Sequence, residues 1–244
     1  MAAKSRLPLQ FWIVTLVAFI NSVSFTIIIP TLYPYAKEFD LSDLAASLLT
    51  TAFSLSQFLG TPILGRLSDR IGRKPLLVLS LLGTVVANLL AAVRPFAWWL
   101  YLARMLDGLA GGNKSVAQAV VSDITSPEQS TQAFGIFGGM FRLGFVVGPP
   151  LAYFAQTLPP LPGITPLGMS VVASALMARV AAILCFAILP ETRPPVDCDL
   201  QLKLSLADFG FGRLITSFRK PVVGRIFLMT FLNGATFTVF TFAF

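Results

Sequence analysis

The sequence predicts an all-α integral membrane protein, a bundle of six membrane-spanning helices followed by the beginning of a seventh. Three observations carry this reading. Of 244 residues, 55% are hydrophobic and only 12% are charged, about half the charged share of a soluble domain, and the mean hydropathy is +0.79. Apolar stretches recur at the length of roughly 20 residues that crosses about 30 Å of hydrocarbon. The lysines and arginines gather on alternate connecting segments.

The first span, 9–30, follows Lys4 and Arg6 and so invites comparison with a signal peptide. It is too long for one, Asn21 and Ser22 interrupt it, and no small-residue cleavage site follows, so it reads as a retained helix. Five more spans follow at 44–64, 75–93, 96–121, 134–155 and 167–189. The polar segment 191–225 contains ETRPPVDCD. Its charge and prolines mark a cytoplasmic linker with a short amphipathic helix near 204–218. A seventh apolar stretch runs over 223–244. The expected layout is a six-helix unit over 1–190, a linker over 191–222 and a further membrane segment over 223–244.

Placing the N-terminus in the cytoplasm puts twelve cations on inside segments and two, Lys37 and Arg94, outside. That bias orients the chain as a multi-pass protein of the inner (plasma) membrane. It accounts for much of the net charge of +7 without a nucleic-acid partner; the partner is the lipid bilayer. There is no His, and Cys185 and Cys198 stand at no metal or redox spacing. Imidazole catalysis is excluded, and no metal site, cofactor or enzymatic activity is expected. The absence of a GKS/T phosphate loop argues against an ATP-driven pump.

The four remaining cations lie inside spans: Arg104, Lys114, Arg142 and Arg179, against one acid, Asp107. In the fourth span Arg104, Asp107, Gly111, Lys114 and Gln118 are spaced 3, 4, 3 and 4, one face of a continuous helix. A charge at mid-membrane costs at least about 2.5–3.5 kcal/mol on insertion scales, so such a stripe faces an aqueous cavity or a partner. The alternative is an internal Arg104–Asp107 bridge at i,i+3. Asn21 in the first span and Gln57 in the second are further cavity candidates, or else hydrogen-bonding groups between helices. Gly144 and Gly148, four apart, permit close helix contact, and Pro149 removes a helical hydrogen bond. Together they describe a pliable fifth span.

The loop 65–75 reads GRLSDRIGRKP. Gly65 would let two helix ends approach, Gly72 would permit a sharp turn, Arg70, Arg73 and Lys74 hold the loop in the cytoplasm, and Asp69 would suit a helix N-terminus of another segment. This loop resembles, residue for residue, the signature loop of the major facilitator superfamily. LARMLDGLAGGN in the fourth span, GFVVGPP in the fifth and LPET at the end of the sixth are similar to other motifs of that superfamily. SVAQAVVSDITSPEQ is especially like bacterial tetracycline and multidrug efflux proteins.

The resemblance covers the whole chain. It implies the six-helix N-terminal bundle, a 3+3 inverted repeat, of a twelve-helix transporter, with an incomplete seventh helix and a C-terminal half as partner. It implies proton-coupled efflux of a small organic molecule or drug by alternating access. An organic-anion uptake symporter and a non-transporting membrane fragment stand as alternatives. By the same resemblance Arg104 lines the central cavity, Asp123 pairs with Arg73, and Asp69 docks on the opposite half, forming a latch with Gly65, Arg70 and Gly72. Arg142 stands where relatives carry a small residue, and Tyr153 stands where the fifth-span pattern has a small one. Proton-coupled relatives carry Asp at the position of Asn21. Asn does not release a proton near neutral pH, so proton coupling would fall to Asp107 or to an acid in the other half.

Overall fold

A computed structural model describes residues 7–93, 96–193, 223–226, 228–232 and 236. The chain divides into two compact units, Met1–Cys198 and Asp199–Phe244. In the first unit the described residues form seven helices and no strands: α1 (Leu9–Lys37), α2 (Asp43–Ile71), α3 (Arg73–Val93), α4 (Ala97–Ala110), α5 (Asn113–Ile124), α6 (Pro127–Thr157) and α7 (Pro166–Ile188). In the second, residues 223–226, 228–232 and 236 are helical. The remainder of the seventh stretch and the whole of the expected linker helix at 204–218 lie outside the described residues.

Five helices, α1, α2, α3, α6 and α7, are long and apolar enough to cross a membrane. Several outrun their apolar stretches; α1 has 29 residues and α6 has 31. At 1.5 Å per residue these reach about 44–46 Å, beyond the ~30 Å hydrocarbon core. Polar residues extend a helix past its apolar part because the backbone still satisfies its own hydrogen bonds. Helix starts carry local signals. The Ser42 and Thr165 hydroxyls accept hydrogen bonds from Ala45 N and Gly168 N, and Pro127 and Pro166 occupy first-turn positions where a missing N–H is harmless.

The expected fourth span differs. It is not one helix but two, α4 and α5, broken at Gly111–Gly112. Two consecutive glycines carry the lowest helix propensity after proline. The carbonyls released at the break find side-chain donors: Ser80 Oγ donates to Ala110 O at 2.7 Å and Gln57 Nε2 to Gly111 O at 3.2 Å.

The packing has an internal symmetry. The dominant neighbours are α1 with α6 and α7, α3 with α7, α2 with α4, and α3 with α4. Exchanging the first three spans for the second three turns the α1–α6 contact into α4–α2 and α1–α7 into α4–α3, and leaves α3–α7 on itself. Three spans are an odd number, so the two repeats run in opposite directions through the membrane. Glycine makes both equivalent contacts close. A Cβ on Gly148 of α6 would stand 2.1 Å from Thr26 Oγ1 and 2.9 Å from the Thr26 carbonyl carbon on α1. One on Gly108 of α4 would stand 2.3 Å from Phe53 O on α2.

Two larger apolar clusters and a small third, Val23, Ile27 and Ala152, pack the described part of the bundle. Of the larger two, one gathers Phe11, Leu76, Val120 and Phe137, the other Tyr35, Leu49, Ala91 and Leu100. On α1 they are separated by a buried polar stretch, Ser22, Ser24 and Thr26. Ser22 Oγ donates to Phe141 O at 2.6 Å and Thr26 Oγ1 to Gly144 O at 2.8 Å. Ser24 and Ser174 exchange hydrogen bonds between α1 and α7. Hydrogen bonds of this kind average about 0.6 kcal/mol each between membrane helices.

Candidate functional site

A cavity of about 230 Å³ opens at the level of this polar layer. Its polar lining is Asn21 from α1, Gln57 from α2, Thr84 and Asn88 from α3, Asp107 from α4, and Asn113 and Lys114 from α5. Four phenylalanines, Phe25, Phe53, Phe141 and Phe145, complete the wall. Four of the expected pathway residues therefore meet here: Asn21, Gln57, Asp107 and Lys114. Asn21 Nδ2 donates to Asn113 Oδ1 at 3.1 Å, an amide pair tying α1 to α5. Lys114 Nζ lies 4.2 Å from the centroid of the Phe141 ring.

Three expected residues stand apart from this cavity. Arg104 is buried behind it rather than in its wall. One terminal nitrogen donates to Asn88 Oδ1 at 3.0 Å and lies 3.3 Å from Asp107 Oδ2, and Phe53 presents its ring to the guanidinium at 6.0 Å. Arg104 Nε has no hydrogen-bond partner among the described residues. Asn88 continues the chain, its Nδ2 donating to Ser174 Oγ at 2.9 Å. An unbroken polar line thus runs from Asp107 through Arg104, Asn88 and Ser174 to Ser24. The physical reason is that Asn88 on α3 and Asp107 on α4 offer the guanidinium protein partners behind the wall, and Ser174 on α7 holds Asn88 in place. Gln118 lies beyond the helix break and does not line the cavity, and Arg142 is exposed on α6.

The fifth-span residues divide between the bundle interior and its surface. Gly144 and Gly148 are buried against α1 inside the bundle, while Pro149 is exposed. The glycines therefore serve a tight helix crossing within this unit.

At the α2–α3 loop, Arg73 is the hub. Its Nε donates to Asp123 Oδ2 at 3.0 Å, its NH1 to Ser68 Oγ at 2.6 Å, and its NH2 lies 2.7 Å from Asp69 Oδ1. Arg193 NH1 reaches Asp69 from the other side at 3.0 Å. Gly72 adopts φ +110°, a conformation L side chains avoid. Arg70 is part-buried in the last turn of α2. Gly65 lies inside α2 with open space at its Cβ position among the described residues, so no approach between the described helices depends on it. Among the described residues, the carboxylate at the N-terminus of α3 is Glu191. Glu191 accepts from Arg73 N at 2.9 Å, Lys74 N at 3.1 Å, Thr192 N at 3.0 Å and Arg193 N at 3.0 Å. It satisfies the first amides of α3 and complements the helix dipole.

Sequence reasoning missed Asn113, Thr84, Asn88 and Glu191. On a continuous helix Asn113 would point about 120° away from Asp107; only the glycine break brings it into the wall. The GG pair was the available signal.

Similarity to known proteins agrees with this architecture. The chain is 36% identical over 151 residues, 61% of its length, to the tetracycline resistance protein class B of Escherichia coli, and covers 38% of that protein. It is 37% identical over 168 residues, 66% of its length, to the major facilitator superfamily domain-containing protein 10 of Bos taurus, covering 33% of it. The chain thus spans well under half the length of these relatives. Its fold matches the crystal structure of the human organic anion transporter MFSD10 with a TM-score of 0.68 at 25% identity, covering 83% of this chain and 53% of that one. The model of the Major Facilitator Superfamily matches residues 14–244, so the chain belongs to that family of multi-pass membrane transporters.

Proposed function

We propose that the protein is a secondary transporter that exports a small organic molecule in exchange for protons by alternating access, with this chain forming the N-terminal half. In this reading residues 1–190 form the bundle, 191–222 a cytoplasmic linker and 223–244 the start of the second bundle. The observation that carries it is the cavity within the spans, where Asp107 is the one carboxylate in the wall and Arg104 stands behind it. Such a pair can exchange a proton for a substrate contact without leaving a bare charge in the membrane. The tetracycline resistance relatives support efflux. The second reading, an organic-anion carrier working in the uptake direction, draws support from Lys114 in the wall and from the organic anion transporter of similar fold. Vesicles of known orientation holding the full-length protein and an imposed pH gradient separate the two. Accumulation in everted vesicles with an acidic lumen supports export, and accumulation in right-side-out vesicles with an acidic exterior supports uptake. No gradient-driven flux of any organic solute would sink both.

Two predictions follow from the cytoplasmic side. With the N-terminus inside, a cysteine replacing Pro160 is expected to react with an impermeant maleimide in intact cells, and one replacing Arg70 only after permeabilisation; the reverse pattern refutes the orientation. Asp69→Asn is expected to leave the protein in the membrane and cut transport strongly. Asp69 joins Arg73 to Arg193, and a shift of about 1–2 kcal/mol in one conformer redistributes two states near balance by roughly 5–30-fold. Transport at the parent rate and equal expression removes Asp69 from the mechanism.

A further inference from the structure

The ammonium of Lys114 is unusual in the cavity wall. It is the cation that reaches the cavity, since Arg104 is occupied behind Asp107 and Asn88. Among the described residues Lys114 forms no ion pair; what meets it is the face of Phe141. The carboxylate of Asp107 shares the wall but is engaged by Arg104 at 3.3 Å. The neighbouring polar groups are amides, Asn21 and Asn113, which already bond each other, and Gln57, which bonds Gly111 O. Lys114 is thus a charge in a membrane cavity to which no described residue supplies a counter-charge, beside aromatic rings from α1, α2 and α6.

We infer that Lys114 is the residue that decides the sign of the substrate's charge: it exchanges the Phe141 ring for an anionic group carried on a planar aromatic molecule, whose ring then packs against Phe141 and Phe145. This rests on the transporter reading and adds the planar aromatic character of the anion and the role of Lys114 in selecting the sign of its charge. An ion pair with hydrogen bonds is stronger than a cation–ring contact at the same place, because the low-dielectric surroundings favour direct charge pairing. The ring is not lost in the exchange, since it keeps its face for the substrate. An organic cation would meet the opposite, a like charge with no carboxylate among the described residues free to offset it.

The test uses the purified full-length protein and three probes of similar shape, naphthoate, naphthamide and naphthylmethylammonium, with binding followed by calorimetry. Naphthoate is expected to bind about tenfold more tightly than the amide, and the ammonium more weakly still. Lys114→Gln is expected to bring naphthoate down to the amide's affinity and leave the amide unchanged, Lys114→Arg to preserve the order, and Lys114→Glu to invert it. Thermal melting of each variant reports folding; should the Glu variant fail to fold, the Gln and Arg variants still decide. Equal binding of the three probes by the parent, no naphthoate binding up to millimolar concentration, or an unchanged order in Lys114→Gln would overturn the inference. Gradient-driven transport with a flat probe series removes Lys114 alone. The expected series in a protein that drives no flux keeps the site and removes the transport reading.

Discussion

Gly148→Leu is expected to abolish monodisperse, folded protein in detergent. The Cβ alone would stand 2.1 Å from Thr26 Oγ1 and 2.9 Å from the Thr26 carbonyl carbon, and the second of these is backbone, which cannot swing aside. Thr26 is held in place by its hydroxyl, which donates to Gly144 O at 2.8 Å across the crossing. Overpacking a close-packed contact costs about 1–3 kcal/mol for added methylenes, and a leucine adds four carbons at a helix crossing. Gly148→Ala is expected to lower the melting temperature measurably. Gly135→Ala on the same helix is the control, because open space surrounds its Cβ position among the described residues. There the gain in helix propensity, about 0.5–1 kcal/mol, should leave melting equal or higher. A Gly148→Leu protein that melts with the parent would show that α1 and α6 do not cross as closely as described.

The second large effect concerns Arg104 and Asp107. Arg104→Ala leaves the buried Asp107 carboxylate without its cation and Asn88 Oδ1 without its donor. Breaking a buried pair from one side costs about 3–5 kcal/mol, so melting temperature and transport should both fall steeply. The double change Arg104→Gln with Asp107→Asn removes both charges and keeps amides able to bond each other and Asn88. It is expected to restore most of the melting temperature but not the transport. The arginine is buried behind the cavity, where a neutral donor can replace it, whereas the carboxylate forms part of the cavity wall. A double mutant that transports at the parent rate would reduce the pair to a packing element. A double mutant that stays unstable would show that Arg104 holds the bundle through Asn88 rather than through Asp107.

The spans were legible because the bilayer imposes one length and one polarity on every crossing element, and the sequence must meet both. The break between α4 and α5 was written as GG but was overridden by the polar spacing from Arg104 to Gln118, which assumes an unbroken helix. That spacing correctly brought Asp107 and Lys114 to the cavity, and it failed for Arg104. A stripe of charges does not say whether water or protein faces it. The answer lay in Asn88 on α3, which accepts from the guanidinium, and in Ser174 on α7, which accepts from Asn88; both come into place only after folding. Glu191 shows the same limit. LPET at the end of α7 and GRKP at the start of α3 are 118 positions apart at the observed contact, and neither segment names the other.

The Glu191 contact also bears on how the polypeptide can be dissected. Hydropathy places the end of the bundle near residue 190, where the apolar run stops. The amides of Arg73 and Lys74 at the start of α3 are satisfied by Glu191, and Asp69 shares its charge with Arg193. A cut at 190 would leave a helix terminus bare and remove one of the two arginines from Asp69. An expressed half, a split reporter or a protease site therefore has to keep Glu191 and Arg193 on the bundle side of the cut.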